Sequence, residues 1–257
     1  MHDLFSLAGQ SAIVTGGSRG LGLAIAELFA AAGAHVMIAS EDADACAAAQ
    51  SRLAAKGYAI AWRKCDVTDR AEQEALVEAT ADRFGGIDIL VANAGISGPM
   101  VGSVDLDPSA YRQVLAVNLD SIVELCALAV PHLRRRGGGS ILLMSSLSAL
   151  RGNRSIGAYS LAKAALAQLA RNLAVELGPD NIRANAIAPG FIRTDLAAPL
   201  LADAGFMARR MQMTPLRRPG TPEEVAGAAL FLASRAGGFV TGHTLVVDGG
   251  TLITDGS

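Results

Sequence analysis

Short runs of aliphatic and β-branched residues alternate along the chain with longer Ala- and Leu-rich stretches of helical period. The short runs cover 11–15, 35–39, 59–64, 87–92, 140–145, 183–187 and 244–247, and each is continuous in hydrophobicity. A strand with one wet face alternates apolar and polar residues, whereas a strand covered on both faces does not. The stretches between them, near 21–32, 44–56, 70–83, 111–135, 159–177 and 222–233, read as helices. The pattern predicts an α/β fold, a doubly wound parallel sheet of about seven strands with helices on both faces. Right-handed crossovers fix most of the strand order. Ligands of such sheets sit outside the carboxyl ends of the strands, so the residues that follow each strand carry the interest.

The rhythm breaks once, over 189–219. Pro189, Gly190, Pro199, Gly205, Pro215 and Pro219 punctuate this stretch, with Phe206, Met207, Met211 and Met213 between them. Long irregular segments in compact domains tend to be functional. One reading is an apolar lid within about 190–219, leaving the sixth strand and overhanging the ligand. The other is a Met-rich surface helix packed on a neighbouring subunit. With no linker or repeat elsewhere, residues 1–257 are expected to form one domain.

Composition narrows the classes of partner. The chain is 51% hydrophobic and 18% charged with a net charge of -2, which gives no electrostatic reason to expect nucleic acid or an anionic membrane. The Arg134, Arg135 and Arg136 run suits the negative end of a helix. Cys46, Cys65 and Cys126 lack zinc or disulfide spacing and read as buried reduced thiols, and no metal is expected. No signal peptide and no apolar run of membrane-spanning length is read, so a reducing cytoplasm is expected.

The densest chemistry is Tyr159 and Lys163, one turn apart on a predicted helix, with Ser146 upstream on a different element. A cation beside a phenol favours the phenolate and predicts a lowered Tyr159 pKa. A hydroxyl such as Ser146 could hold a carbonyl oxygen against that phenol. The first strand runs into Thr15-Gly16-Gly17-Ser18-Arg19-Gly20-Leu21-Gly22 and then a helix, a turn fit to bring phosphate to a helix N-terminus. Past the second strand come Glu41 and Asp42, which repel a ribose 2′-phosphate, while Arg19 would attract one. Alternatively the acids open the next helix. Asp66, before Val67, either accepts from an adenine amino group or caps the helix near Asp69. Asn93-Ala94-Gly95 ends the fourth strand and permits close approach of a cofactor or simply turns the chain.

Taken together, these motifs resemble the single-domain short-chain dehydrogenase/reductase family, over essentially the whole chain. Thr15–Gly22 resembles the family's cofactor turn and Asn93-Ala94-Gly95 its sheet-end element, although Ala92 stands where the family often has a further Asn. Asn118, Ser146, Tyr159 and Lys163 resemble its catalytic tetrad, Pro189-Gly190 with Ile192 and Thr194 its nicotinamide turn, and Val247-Asp248-Gly249-Gly250 its last strand ending. The resemblance implies a Rossmann fold and an NAD(P)-dependent interconversion of a secondary alcohol and a ketone. Gly16, Ser18, Arg19, Gly20, Leu21, Gly22, Glu41, Asp66, Val67, Asn93, Ala94, Gly95, Tyr159, Lys163, Pro189, Gly190, Ile192 and Thr194 would then face the cofactor, NAD or NADP with a lean to NAD. Asn118 would support a proton-relay water. Ser148, Asn153, Phe206 and Met207 would line the substrate pocket, and a neutral secondary alcohol or ketone is expected as the substrate. The alternatives are NADPH-dependent reduction of a 3-oxoacyl carrier protein docked on Arg151, Arg154, Arg209 and Arg210, and a non-catalytic nucleotide sensor. A homotetramer is also implied, with helices 111–135 and 159–177 at one interface and an apolar stripe at Leu166, Leu169 and Leu173.

Overall fold

A computed structural model of the protein describes residues 2–254, without the side chains of His2, Asp3 and Leu196. Seven strands pair in the order β3-β2-β1-β4-β5-β6-β7. They are β1 Ser11–Thr15, β2 His35–Ser40, β3 Ile60–Lys64, β4 Ile89–Ala92, β5 Gly139–Met144, β6 Ile182–Pro189 and β7 Thr244–Val247. Every pairing is parallel. Strand order reverses between β1 and β4, the switch point at which such sheets open a crevice.

The continuous apolar runs are explained by two cores, one on each face. On one face Ala12 and Val14 of β1 pack with Ile25, Ala26 and Phe29 of α1 (Gly20–Ala31), Leu53 of α2 (Ala43–Ala54) and Val225 and Ala229 of α9 (Pro222–Ala233). On the other, Ile13 meets Leu76 and Val77 of α3 (Arg70–Phe84), Leu125 and Ala129 of α5 (Ser121–Arg135), and Leu166 and Ala170 of α6 (Gly157–Leu177). Successive strand residues therefore serve opposite cores.

The structure revises several sequence expectations. The helix expected over 111–135 begins earlier, as α4 (Pro108–Leu115), because Asp107 caps the Ser109 and Ala110 amides and Pro108 suits the first turn. It then widens into a π-turn, Ala116–Asp120, before α5. There the Ser121 N–H reaches back to the Ala116 carbonyl, and the Ser121 hydroxyl takes the Val117 carbonyl at 2.8 Å. Pro108–Arg135 is also long and apolar enough to cross a membrane, contrary to the sequence reading. Here its apolar face lies on the sheet through Ile122, Leu125, Cys126, Ala129 and Leu133. The stretch after β6 is not wholly irregular: it holds α7 (Ala198–Leu201) and α8 (Ala204–Gln212), the latter capped by Asp203 on the Phe206 amide. All three cysteines are free and buried, and burial pushes the Cys65 and Cys126 thiols up to about 12.

Candidate active site

The glycine turn is shaped by Thr15 and Asn93. The Thr15 hydroxyl, at the end of β1, accepts the backbone N–H groups of Asn93 and Ala94 at 3.0 and 3.1 Å. The Asn93 amide donates back to the carbonyls of Thr15 and Gly16 at 2.9 and 3.2 Å. Gly16 has φ +61, and a Cβ on Gly22 would lie 2.2 Å from the Gly16 carbonyl oxygen and 2.6 Å from Asn93 Nδ2. No side chain larger than hydrogen fits there. Asn93 and Ala94 thus shape the cradle from behind; Thr15 was not singled out from sequence, although a hydroxyl ending a buried strand beside a glycine turn is a readable signal.

The cradle itself is open. Helix α1 starts at Gly20 after Arg19, with no side chain capping it and no acid in its first turn. Its first N–H groups and its positive pole therefore await an anion. The Ser18 hydroxyl is buried and has no hydrogen-bond partner. A buried orphan of this kind costs free energy unless a ligand completes it. Leu21 packs inward on the core. Thr194 stands across the gap, its side chain 3.8 Å from where a Gly20 Cβ would be. These features fit a dinucleotide diphosphate.

The adenosine end divides the roles that the sequence left open. Asp42 caps α2 by accepting the Ala45 amide at 3.0 Å and pairs with Arg19 at 3.2 Å, while Glu41 is exposed. The two opposed signals are thus partners in one ion pair. Asp69, not Asp66, caps α3. Asp66 uses one oxygen for the Thr68 amide and hydroxyl at 2.9 and 2.8 Å, and these bonds hold its carboxyl below the usual range. The neighbouring Val67 carbonyl accepts from Gln73.

At the ends of β5 and β6 the structure brings the proton-handling groups together. Ser145 and Ser146 differ by one position and have different duties. The Ser145 hydroxyl is buried and donates to the Lys163 carbonyl at 2.7 Å, stapling α6 to the end of β5. Ser146 turns the other way, caps the short turn Leu147–Ala149 through the Ser148 amide at 3.1 Å, and hydrogen-bonds Tyr159. Lys163 is buried, its Nζ 5.5 Å from the centre of the Tyr159 ring and 2.8 Å from the Met144 carbonyl to which it donates. Burial lowers its pKa from 10.5 to about 8.

The expectation of a lowered Tyr159 pKa is corrected: the phenol is raised above 10.0, by burial first, with the Ser146 hydrogen bond opposing. Desolvation sets the direction, and the Lys163 ammonium is engaged with the Met144 carbonyl. Asn118 lies in the π-turn, fully buried, and its amide clamps Ile96 by accepting the N–H at 3.0 Å and donating to the carbonyl at 2.8 Å. Gly95, next to that clamp, is exposed, and a Cβ on it would lie 2.4 Å from Asn118 Oδ1 and 3.4 Å from Lys163 Nζ. The three residues therefore line one small space.

Pro189 closes β6, and the Gly190 amide bonds the Val247 carbonyl at 2.9 Å against Asp248. Ile192 is buried and bridges to Gly220. Of the expected pocket residues, Ser148 is half-buried, and its carbonyl accepts from Asn153 at 3.4 Å. Asn153 also donates to the Arg151 carbonyl at 3.0 Å, so its amide shapes the loop. Met207 is half-buried, and Phe206 meets Phe191 edge-on with centroids 5.4 Å apart. Arg154 and Arg209 are exposed; Arg210 is not a solvated docking group but lies half-buried over the Phe191 ring at 5.7 Å. A cleft of about 400 Å³ elsewhere, between Trp62 of β3 and Arg83 of α3, contains none of these residues.

Comparison with known proteins agrees with this geometry. A family model described as "Enoyl-(Acyl carrier protein) reductase" matches residues 16–251. The chain is 38% identical to "Dehydrogenase/reductase SDR family member 4" of Oryctolagus cuniculus over 95% of this chain and 94% of that one. It is 38% identical to 7alpha-hydroxysteroid dehydrogenase of Escherichia coli (strain K12), over 96% of both chains. Among solved structures, a 7alpha-hydroxysteroid dehydrogenase complexed with NADH and 7-oxo glycochenodeoxycholic acid superposes with TM-score 0.93, at 38% identity and 97% coverage of both chains. A gluconate 5-dehydrogenase from Burkholderia cenocepacia J2315, in complex with NADP and tartrate, gives TM-score 0.94 at 34% identity, covering 98% of this chain and 99% of that one.

Proposed function

The chain belongs to the short-chain dehydrogenase/reductase family and is an NAD(P)-dependent oxidoreductase of alcohols and ketones, and from that premise we propose the roles of its residues. The N–H groups that open α1, with Ser18, hold the dinucleotide diphosphate, and Asp66 accepts from the adenine through its second oxygen. Lys163 and Tyr159 hold the nicotinamide ribose, and Ile192 with Thr194 the carboxamide. Bound there, the nicotinamide supplies or accepts the hydride. Tyr159 Oη gives the proton to the carbonyl oxygen in reduction and takes it back in oxidation. Ser146 Oγ donates to the same oxygen and fixes it beside Tyr159. Asn118, by clamping Ile96, holds the wall past which the proton leaves toward solvent. The segment within 190–219, with α7 and α8, acts as the lid.

The single observation that carries this reading is the convergence of Ser146, Tyr159 and Lys163 beside an uncapped glycine cradle with an orphaned Ser18 hydroxyl. Tyr159→Phe tests it. The expected result is a fall in kcat of about 10²–10⁴-fold with coenzyme binding retained. Full turnover by that variant overturns the assignment.

NAD is the preferred coenzyme in this reading, because the guanidinium that a 2′-phosphate needs is paired with Asp42. The pair is exposed at 60%/39% and worth less than about 1 kcal/mol, so the preference is modest. Calorimetric titration checks it: NAD should bind more tightly than NADP, and Asp42→Ala should narrow or invert the order. The protein works as a homotetramer in a reducing cytoplasm, in keeping with its free buried thiols.

A further inference from the structure

Two arginines at the lid edge of the site form no ion pair among the described residues. Arg210, on α8, lies over Phe191 at 5.7 Å from the ring centre, and its Nε is buried with no hydrogen-bond partner. Phe206 closes the other edge of that ring. The end of α8 is fixed, since Thr214 bonds the Arg210 carbonyl at 2.9 Å and the Thr251 hydroxyl at 3.0 Å. Arg151 comes from a separate element, the loop that Ser146 opens, and its carbonyl is held by Asn153. After burial, Arg151 is the next influence that pushes the Arg210 pKa down, so the two guanidinium groups feel each other.

The nearby acid, Asp248, offsets this charge only at a distance and forms no ion pair with Arg210. Both oxygens of Asp248 are taken by its own turn, one by the Gly250 amide at 2.8 Å and the other by the Leu252 amide at 2.6 Å. Among the described residues neither Arg151 nor Arg210 forms an ion pair. Two like charges that share a half-buried site, one with an orphaned N–H, are unfavourable until an anion completes them. Planar, forked donors suit a carboxylate in particular.

Both residues follow the strands that carry the reaction site. Arg151 lies five positions beyond Ser146 at the end of β5, and Phe191, under Arg210, follows the Pro189-Gly190 turn at the end of β6. We propose that Arg151 and Arg210 form a carboxylate subsite, so that the substrate is a hydroxy acid or oxo acid whose charged end docks under the lid while its alcohol or ketone carbon meets Tyr159. It differs from the neutral substrate expected from sequence. It rests on the alcohol–ketone reading of the site, but it can be tested by binding alone.

The probes are pairs of short oxo acids and their methyl esters, such as 4-oxopentanoate and methyl 4-oxopentanoate, in three or four carbon frames. Binding is measured by calorimetry on the coenzyme-loaded enzyme, and turnover separately. The expected result is at least one frame in which the acid binds about tenfold or more tightly than its ester, the scale of one charge-assisted contact. That ratio should collapse toward one in Arg210→Met and in Arg151→Met and be partly restored in Arg210→Lys. Arg151→Met lies outside the Phe191 stack and keeps the test alive where Arg210→Met fails to fold. Acids that bind no better than esters in every frame, or a ratio that survives both Met variants, overturn the subsite. Acid-selective binding that depends on the arginines, with no turnover in any frame, leaves the subsite standing and counts against the alcohol–ketone reading instead.

Discussion

Lys163 and Tyr159 show how burial changes what a sequence motif does. Burial lowers the lysine from 10.5 to about 8 and raises the phenol, so each is pushed toward its neutral form. The lysine has a pH signature. Between about 8 and 10.5 the unfolded chain holds a proton on it that the native protein has released, so stability rises with pH across that window. As pH falls through about 8 that contribution is lost. We expect denaturant unfolding to show this rise in the wild type, and Lys163→Met to lack it while losing turnover. A second residue-scale test concerns Thr15. Thr15→Val keeps the shape and strips the acceptor from two backbone N–H groups at 3.0 and 3.1 Å. Each orphaned donor costs about 1–3 kcal/mol, so urea unfolding should show a loss of about 2–4 kcal/mol and coenzyme affinity should fall with the distorted turn. The spacing of Tyr159 and Lys163 gave the pair away in the sequence. The direction of the phenol's shift was not legible, because spacing reports a partner and says nothing of desolvation.

At the scale of elements, the central strands were legible because a strand covered on both faces must be apolar throughout, while the edge strands β3 and β7 are only partly covered and showed as shorter β-branched or aromatic runs. The interruption between α4 and α5 was not, because what seats it is tertiary: Asn118 reaches across to Ile96, and Gln73 takes the Ser121 carbonyl at 2.8 Å. The role of Arg183 was equally hidden. It is a β6 residue whose guanidinium donates to the carbonyls of Leu232, Ala233, Ser234, Gly237 and Val240, where α9 ends and the chain turns toward β7. One side chain thus gathers the carbonyls of a helix end; those of Leu232, Ser234, Gly237 and Val240 also accept from Ser140, Gly237, Val240 and Asn185, whereas that of Ala233 is served by Arg183. Arg183→Met should leave the Ala233 carbonyl bare and strip one donor from its neighbours, destabilising the protein by about 1–3 kcal/mol, read by chemical denaturation. Hydrogen exchange should rise first around β7 and the end of α9. Unchanged protection there would mean that the carbonyls are satisfied by water instead.

The whole molecule spends most of its apolar surface on two cores, and what is left over points outward in particular places. The Leu166, Leu169 and Leu173 stripe, which the sequence left open between core and assembly surface, belongs to the interior: Leu166 is fully buried, and the other two pack on the α3–α5 core. Different residues on the same helices face out, namely Val123 at 44% exposure on α5, and Leu161 at 54% and Val175 at 83% on α6. At the far end of the sheet β7 is an edge strand, flanked in sequence by Phe239 at 105% and Ile253 at 87%. Apolar groups on paired helices and an edge strand with free backbone on one side are what two separate subunit contacts require. Leu161→Glu places a charge within the first of these, where an unpaired buried carboxylate costs several kcal/mol. Light scattering should find a tetramer for the wild type and a smaller assembly for that variant, with folding intact because Leu161 is outside both cores. A wild-type monomer would remove the contact altogether, and a variant whose mass is unchanged would move it to another face of the molecule.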